Sequence, residues 1–366
     1  MELLEKGEES DIRALFSFNS SDSNEEVILK FNIWSRWFFP KFFKFKDAQF
    51  HKDIDNSNLA IYRGIKKNFV DIAFRGAAKT TRTKLFIAFV IANDDEHSRR
   101  YIKVLSADGA NSKQIVTDVY NLLINKRVIY YYSEIFQKTE EKRQETMSTF
   151  TTATGVKMQS DTVGTDQRGD IQEETRPDFL WFDDFETRKT LRSAVVTQAI
   201  WDNMEEAKNG LSKEGVAIYN CNYVSERGNV HRIVERYKGN GNDIVLITPI
   251  RKNGKPTWDA YTIEEIRDIE RNTEDFAGEY LCEPSAGADV FFDRAVLDRQ
   301  ISKDPIREIA GLKIFHKYDP SHRYGVGADT AGGVGLDSSA SVIIDFSPLP
   351  NKVVATFKDN TIKPDV

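Results

Sequence analysis

The fold class of this chain follows from residues 69–80, which read Phe-Val-Asp-Ile-Ala-Phe-Arg-Gly-Ala-Ala-Lys-Thr. The first six residues form a short apolar run typical of a buried strand, small residues follow, and a helical apolar pattern begins after Thr80. A strand, a turn of small residues and a helix in this order are typical of a phosphate-binding loop, whose backbone N–H groups point at phosphate oxygens. Lys79 and Thr80 match the Lys that contacts the β- and γ-phosphates and the hydroxyl that binds Mg²⁺.

This loop departs from the usual pattern at two positions. The regular motif is G-x-x-x-x-G-K-[ST], and Ala73 and Ala78 stand in the places of its two glycines. Alanine is still small, and Gly76 gives the backbone local freedom. We therefore predict a nucleotide loop, and a basic turn between a strand and a helix is the alternative.

Basic residues surround the loop in the sequence, and Asp71 is the single acid among them. Such a charge pattern suits a polyanion, with a solvated basic surface as the alternative. The basic residues are Arg63, Lys66, Lys67, Arg75, Lys79, Arg82 and Lys84.

A second motif places acids after an apolar strand. Residues 177–186 read Pro-Asp-Phe-Leu-Trp-Phe-Asp-Asp-Phe-Glu, and ligands of open parallel sheets bind at the carboxyl ends of the strands. One carboxylate there can hold Mg²⁺ while a neighbour orients and deprotonates the attacking water. We assign the metal to Asp183 and the water to Asp184, with Glu186 as the second candidate for the water. An acidic loop after a core strand is the alternative.

Strand-like and helical patterns alternate from residue 60 onward, which predicts an α/β fold with a doubly wound, mostly parallel sheet. After Pro284 the composition loosens, and three further strand patterns follow at 324–328, 342–346 and 353–357. We expect three regions: an acidic flexible arm at 1–30, a main domain at 31–284 with a helical linker from about 258, and a second domain at 285–366.

The net charge of −6 comes from the first 26 residues. These hold eight acids against Lys6 and Arg13, which leaves 57 − 8 = 49 acids and 51 − 2 = 49 bases in the remainder. The acidic pI therefore does not exclude a nucleic-acid partner. The next segment, residues 30–46, is basic and aromatic. It suits a membrane-surface helix or a nucleic-acid patch, but we favour aromatic packing onto a core, with Pro40 ending any helix.

The composition also indicates the cellular compartment in which we expect the chain. Two cysteines, Cys221 and Cys282, exclude a disulfide scaffold and favour a reducing cytosol. We find neither a spanning segment nor a signal peptide, and expect a chain of the cytoplasm. The histidines show no metal-ligand spacing, so we interpret them as isolated surface or capping residues; they are His51, His97, His231, His316 and His322.

The ordered set of motifs resembles the large terminase subunits of tailed bacteriophages, the ATP-driven motors that package viral DNA. Residues 74–81, Phe-Arg-Gly-Ala-Ala-Lys-Thr-Thr, are similar to the deviant phosphate loop of that family, which carries Arg early and often lacks the second Gly. Residues 176–184 resemble the approach to its acidic motif, and residues 276–284 the segment that joins its two domains. Residues 327–340 resemble the first strand and turn of its nuclease. The resemblance covers roughly residues 31–350.

The resemblance implies an ASCE-type P-loop ATPase domain followed by an RNase H-like α/β nuclease domain. It implies ATP and Mg²⁺ as cofactors, with Gln49 on the adenine side. The expected nucleotide contacts are Gly76, Ala77, Ala78, Lys79, Thr80 and Thr81.

Three departures or gaps affect the implied catalytic set. The acidic motif of the family often ends Asp-Glu and here ends Asp-Asp, which leaves the catalytic carboxylate open between Asp184 and Glu186. The coupling motif is usually rich in Thr, Ser and Gly, and here Asn222 stands in its place. The family also implies an arginine supplied across a subunit ring; Arg168 is the best-placed candidate, with Arg75 and Arg176 as competitors.

For the nuclease, the resemblance implies that Asp329 and Asp337 bind Mg²⁺ or Mn²⁺. Cleavage with two metals needs several carboxylates from separate elements. In the family the further acids lie downstream, and this chain ends at Val366. We therefore expect an incomplete nuclease, with Asp345 facing solvent at a strand end.

These observations predict a terminase large subunit that uses ATP to move viral double-stranded DNA into a procapsid, in a family that also cuts concatemers. The implied partners are DNA, the portal protein, the small terminase subunit and further copies in a homo-oligomeric ring, with no membrane, in the host cytoplasm. A helicase-like P-loop ATPase acting on nucleic acid and a non-enzymatic nucleic-acid-binding remnant are the alternatives.

Overall fold

Seven strands form one sheet in the first of two units, Met1–Ala288 and Asp289–Val366. The structure is a computed structural model that describes residues 9–136, 148–164, 176–284, 303–331 and 338–361. The strands of the sheet are β1 (Asn68–Ala73), β2 (Tyr101–Ser106), β3 (Thr149–Thr151), β4 (Lys157–Thr162), β5 (Phe179–Asp183), β6 (Val216–Cys221) and β7 (Asp243–Thr248). A separate hairpin joins β8 (Arg251–Lys252) to β9 (Lys255–Pro256).

Helices connect most of these strands. They are α1 (Glu9–Phe16), α2 (Asn24–Phe38), α3 (Gln49–Tyr62), α4 (Lys79–Asn93), α5 (Gly109–Leu123), α6 (Lys126–Tyr131), α7 (Arg188–Leu191), α8 (Ala194–Asn209), α9 (Asn229–Tyr237) and α10 (Ile263–Asn272). A short 3₁₀ turn at Pro40–Phe42 follows α2, and a π-helical turn at Ala277–Leu281 follows α10.

The strand order is β3-β4-β2-β5-β6-β1-β7, and every pair is parallel except β3 with β4. Strand β6 therefore lies between β1, which precedes the phosphate loop, and β5, which ends in acids. The predicted doubly wound, mostly parallel sheet is confirmed.

The four central strands β1, β2, β5 and β6 are buried along almost their whole length, so the sheet is covered on both faces. In β5, Phe179 and Trp181 pack into one hydrophobic cluster with α1 to α5. The alternate residues Leu180 and Phe182 pack into a second cluster with α8 and α9. Successive side chains of a strand point to opposite faces, so each face acquires its own core.

Residues 9–30 do not form the flexible arm that their acidic composition predicted. They include α1 and the first half of α2, and Phe16, Phe18 and Val27 are at most 3% exposed. Ser23 caps α2 by accepting the N–H of Glu26 at 3.2 Å. Glu25 and Glu26 of α2 are exposed while Val27 of the same helix is buried, and average composition does not reveal such an amphipathic pattern.

Most of the aromatic segment that follows packs inward, as favoured from the sequence, whereas Phe42 and Phe45 are exposed. Phe31 and Trp34 are buried and contact Phe89 of α4 with ring centroids 5.5 and 5.6 Å apart. Helix α2 ends at Phe38, two residues before Pro40, because proline cannot donate the next helical hydrogen bond.

The second unit is an antiparallel sheet. Its strands are β10 (Arg307–Ile309), β11 (Leu312–Ile314), β12 (Tyr324–Asp329), β13 (Ser339–Asp345) and β14 (Lys352–Asp359), in the order β10-β11-β14-β13-β12. The three predicted strands overlap β12, β13 and β14, and the β10–β11 hairpin was not predicted. No helix lies within residues 303–331 and 338–361, and the RNase H-like assignment stays a prediction.

Across the described ranges, none of the helices has both the length and the apolar character that crossing a membrane would require.

Candidate active site

The loop between β1 and α4, which is predicted to bind phosphate, contains two residues with positive φ, Gly76 and Ala78. Ala78 adopts φ 63° and ψ 17°, the left-handed conformation that glycine adopts readily and L-residues rarely. Gly76 has φ 91°, and a Cβ there would lie 2.6 Å from the hydroxyl oxygen of Tyr261. The N–H of Ala77 donates to the carbonyl of Phe74 at 3.1 Å and closes the turn. Ala78 thus takes the conformation of the glycine it replaces.

Four predicted site residues come together where this loop meets the sheet. The Nζ of Lys79 donates to Oδ1 of Asn222 at 2.6 Å, just beyond the end of β6. The Oγ1 of Thr80 donates to Oδ1 of Asp183 at 2.8 Å, at the end of β5. Parallel strands bring their carboxyl ends to one edge of the sheet, and α4 begins at that edge. Thr81 follows in the first turn of α4, half-buried.

Buried carboxyl groups lie close to Lys79. Asp183 is 2% exposed, and burial, with a smaller contribution from Asp184, raises its pKa to about 6. Burial also raises the pKa of Asp71, in the middle of β1, to about 7; the Lys79 ammonium opposes that shift and Asp183 adds to it. The site therefore favours cations that would compensate these carboxylates.

The oxygens of Thr80 and Asp183 suit Mg²⁺. Hydroxyl and carboxylate oxygens are hard ligands, and Mg²⁺ at phosphate sites uses one or two carboxylates with water and substrate oxygens. Within the described ranges no group of three or more His, Cys, Asp and Glu side chains could hold a metal.

The structure places Asp184 and Glu186, the two carboxylates considered for the water-activating role, in different surroundings. The Glu186 carboxylate accepts the N–H of Asn229 at the first turn of α9, and a Cβ on Gly228 would lie 2.1 Å from its Oε1. Burial raises the pKa of Glu186 to about 7, against opposing backbone hydrogen bonds from Asn229 and Val230. Glu186 is therefore the anchor of a helix. Asp184 is exposed, directly after β5, with φ 44°.

Among the candidate arginines, Arg75 is held within its own chain. Its Nη1 donates to Oε2 of Glu279 at 2.8 Å, and its N–H to the Glu279 carbonyl at 2.9 Å. Glu279 also accepts from Nη2 of Arg188 at 3.1 Å. Neither Arg188 nor Glu279 was assigned a role from the sequence. Arg168 lies outside the described residues, and Arg176 is exposed.

Two of the cations predicted to form a basic surface around the loop are paired with acids. Arg82 is 5% exposed and forms ion pairs with Asp55 and Asp47. Lys84 pairs with Asp118 at 2.7 Å. These cations are compensated by acids distant in sequence, so the prediction of a polyanion field from local sequence is wrong for them.

On the predicted adenine side, His51 and not Gln49 contacts the loop. Gln49 is exposed and donates to Asp53 on its own helix at 2.9 Å. His51 is 1% exposed, accepts the N–H of Ala48 at 3.0 Å and lies 3.2 Å from the carbonyl oxygen of Ala77. The interpretation of His51 as a capping residue is confirmed, whereas its contact with the loop was not predicted.

Of the two metal residues predicted for the nuclease, the structure describes one. Asp329 is exposed at the end of β12, and Asp337 lies outside the described residues. Asp345 does not face solvent as expected: it is 5% exposed, with Oδ2 2.7 Å from Nδ1 of His322. Nuclease activity remains an expectation from the resemblance.

Comparison with solved structures finds similar folds at low sequence identity. The large terminase of bacteriophage HK97 is 12% identical, with a TM-score of 0.49 over 86% of this chain and 63% of that one. The large terminase of a thermophilic bacteriophage in complex with ADP is 11% identical, with a TM-score of 0.40 over 79% and 64%. A large terminase ATPase domain from a Thermus phage is 11% identical, with a TM-score of 0.38 over 62% and 92%.

The chain spans less than two thirds of the length of the first two structures. It is similar in structure to large terminases, the same kind of protein that its motifs resemble. No protein-family model matches the sequence, and no curated protein matches it.

Proposed function

We propose that this chain binds and hydrolyses ATP and uses the energy to move double-stranded DNA during viral genome packaging. One observation carries the ATPase part: Thr80 in the first turn after the phosphate loop is hydrogen-bonded to Asp183 at the end of β5. This joins the two halves of a nucleotide site that lie 103 residues apart in the sequence. The coupling to DNA is supported by the resemblance of the motifs.

In this proposal the phosphate loop binds the β- and γ-phosphates. Its backbone N–H groups and the start of α4 favour anions. The Lys79 ammonium donates a hydrogen bond to the side-chain oxygen of Asn222. When nucleotide binds, the ammonium would donate to phosphate oxygens instead. Asn222 would then be free to bond a phosphate or the attacking water, which gives it the coupling role.

The metal would be held by Thr80 and Asp183 together with phosphate oxygens. When bound, Mg²⁺ would neutralise charge on the transferring phosphoryl group. The structure places both oxygens in one hydrogen bond, so they already converge on one point.

Asp184 is the residue we propose to orient and deprotonate the water. It is exposed and adjacent to Asp183 in sequence, while the Glu186 carboxylate binds the N–H of Asn229. A general base must reach the water it activates, and a carboxylate committed to a helix end is poorly placed for that role. An arginine from a neighbouring subunit of a ring, with Arg168 as the candidate, would stabilise the transition state.

The experiment that tests the function is ATP hydrolysis by the purified chain with Mg²⁺, with and without duplex DNA. We expect turnover that requires Mg²⁺ and rises when duplex DNA is added. Turnover accompanied by strand separation of a forked duplex would favour the helicase-like alternative. DNA binding without any turnover would favour the non-enzymatic remnant.

Packaging itself requires the partners that the resemblance implies. With portal-bearing procapsids and the small subunit, the chain should protect DNA from nuclease in an ATP-dependent manner. If the DNA stays fully accessible to nuclease while ATP is hydrolysed, the packaging part of the proposal is wrong and the ATPase part stands.

A further inference from the structure

The ring of His51 connects helix α3 to the phosphate loop through two hydrogen bonds. Nδ1 accepts the backbone N–H of Ala48 at 3.0 Å, and Nε2 lies 3.2 Å from the carbonyl oxygen of Ala77. A backbone N–H can only donate and a carbonyl can only accept. The two contacts therefore fix one state of the ring, the neutral imidazole with its proton on Nε2.

The surroundings of the ring favour the same neutral state. Burial, followed by the nearby Arg82 guanidinium, lowers the pKa of His51 to about 4, against smaller opposing effects of Asp47 and of the Ala77 carbonyl. At neutral pH the ring is thus an uncharged donor toward the loop.

Aromatic side chains hold the ring in place. It lies against Phe50, with centroids 3.9 Å apart, and meets the edge of Trp258 at 4.6 Å. The indole of Trp258 is itself fixed, because its Nε1 donates to the carbonyl of Lys46 at 2.7 Å. The direction of the Nε2–H bond is therefore set by packing, and not by the loop alone.

The bond to Ala77 sets the orientation of one peptide group in the loop. In a trans peptide the C=O of one residue and the N–H of the next point in opposite directions. Holding the Ala77 carbonyl on His51 consequently turns the N–H of Ala78 away from His51. Ala78 is also the residue that adopts φ 63° without being glycine, a conformation that costs an L-residue free energy.

We propose that His51 is a positioning residue for nucleotide binding, which fixes the Ala77–Ala78 peptide so that the Ala78 N–H faces the bound phosphates. The inference rests on the proposed ATP site and extends it to a side chain that does not touch the nucleotide. His51 supplies from outside the loop part of the constraint that holds an alanine in a glycine conformation.

A pair of matched variants tests this role. The amide of His51→Gln can reach as far as Nε2 and still donate to Ala77. The shorter His51→Asn can still accept from Ala48, as Nδ1 does, but ends short of Ala77. Loss of one neutral hydrogen bond corresponds to about 3- to 10-fold in affinity. We expect His51→Asn to weaken ATP-γ-S and ADP binding by this factor, and His51→Gln to bind nearly as wild type.

The kinetic signature separates positioning from general loss of structure. The Ala78 N–H would contact phosphate in both the ground and the transition state, so His51→Asn should raise KM and leave kcat nearly unchanged. In an Ala78→Gly background, His51→Asn should weaken nucleotide binding less, because glycine adopts the left-handed conformation readily without the constraint from His51. Calorimetric titration and steady-state kinetics on the full chain, below the melting temperature of each variant, measure both effects.

Each other result contradicts the inference in a recognisable way. Equal nucleotide affinity of wild type and His51→Asn, or equal losses in His51→Asn and His51→Gln, would overturn it. Wild-type chain that binds neither nucleotide would overturn the proposed function first, without any comparison of variants. If the variants do not fold, ¹⁵N NMR of the wild-type histidines decides: we expect a neutral ring protonated on Nε2 whose signal shifts with ADP, and a ring protonated on Nδ1, or a signal indifferent to saturating ADP, would overturn the role.

Discussion

The hydroxyl of Thr80 donates to the carboxylate of Asp183 at 2.8 Å, which links the start of α4 to the end of β5. Strand β6 lies between β1, which leads to Thr80, and β5, which ends at Asp183. The order of the strands in the sheet therefore brings these two residues together. The contact assembles a hydroxyl and a nearly buried carboxylate, the hard oxygen ligands of an Mg²⁺–nucleotide site.

The Thr80 hydroxyl should be essential for metal-dependent turnover. Thr80→Val keeps the shape of the side chain but removes the oxygen, so we expect kcat to fall by about 100-fold or more, as for loss of a group that stabilises transition-state charge. Thr80→Ser keeps the oxygen and is the matched control. Turnover measured over a range of Mg²⁺ concentrations checks this prediction. Wild-type rates in Thr80→Val would show that Thr80 is not part of the metal site.

Asp184 and Glu186 should fail in different ways. Asp184→Asn should lower kcat by about 100- to 10,000-fold, the usual contribution of a general base, with little change in nucleotide affinity or melting temperature. Glu186→Ala should instead lose about 1–2 kcal/mol of stability, because the first turn of α9 loses its acceptor. Thermal unfolding and turnover of both variants separate the roles. If Glu186→Gln is the variant that folds normally and cannot turn over ATP, the two assignments must be exchanged.

The buried Asp71 should make stability depend on pH. In the described part of the chain Oδ1 of Asp71 and Oδ1 of the adjacent Asn220 have no hydrogen-bond partner, which indicates a site better suited to a protonated carboxyl group. Its pKa is raised from 3.8 to about 7, so the folded state favours the neutral form. The protonated carboxyl group therefore contributes at most about 4 kcal/mol to the free energy of unfolding. This contribution is fully present below pH 4 and is lost as the pH rises through 7.

Asp71→Asn should remove this pH dependence. The variant should match wild type near pH 4 and be more stable than wild type at pH 8. Urea unfolding followed by tryptophan fluorescence at several pH values measures the difference. An Asp71→Asn chain that is less stable than wild type at pH 8 would mean that the ionised carboxylate is stabilised in the fold.

Substitution by glycine should have opposite effects on stability at Ala78, which is left-handed, and at its neighbour Ala77. An L-residue in this conformation costs about 1–2 kcal/mol, whereas glycine loses about 0.5–1 kcal/mol through the entropy of the unfolded chain. We therefore expect Ala78→Gly to raise the free energy of unfolding by up to about 1.5 kcal/mol. Ala77 is outside the left-handed region, and Ala77→Gly should lower it. Equal destabilisation by both substitutions would contradict the assigned backbone conformation.

Local sequence patterns were sufficient for the parts of the site that are local. Lys79 and Thr80 follow a strand at a fixed spacing, and Asp183 ends another strand, so their positions could be predicted from apolar runs and from the rule that parallel strands share one edge. The left-handed Ala78 was foreseeable only as a small residue in the place of a glycine.

The errors concern pairings between distant residues. Arg82 follows the loop in sequence, but its partners Asp47 and Asp55 come from the segment that leads into α3 and from α3 itself. The side chains of His51 and Glu279 reach the loop from α3 and from the π-helical turn after α10. Nothing in the spacing of these residues encodes the tertiary packing that brings them to the loop, so sequence patterns alone could not assign their roles.

The most direct test of the ATPase assignment combines nucleotide binding and turnover in wild type, Lys79→Ala and Asp184→Asn. We expect wild type to bind and hydrolyse ATP. Lys79→Ala should lose both activities because the phosphates lose their cation, and Asp184→Asn should bind ATP but hydrolyse it poorly. Undiminished hydrolysis by Lys79→Ala would show that ATP is hydrolysed elsewhere and would contradict the assignment of the phosphate loop.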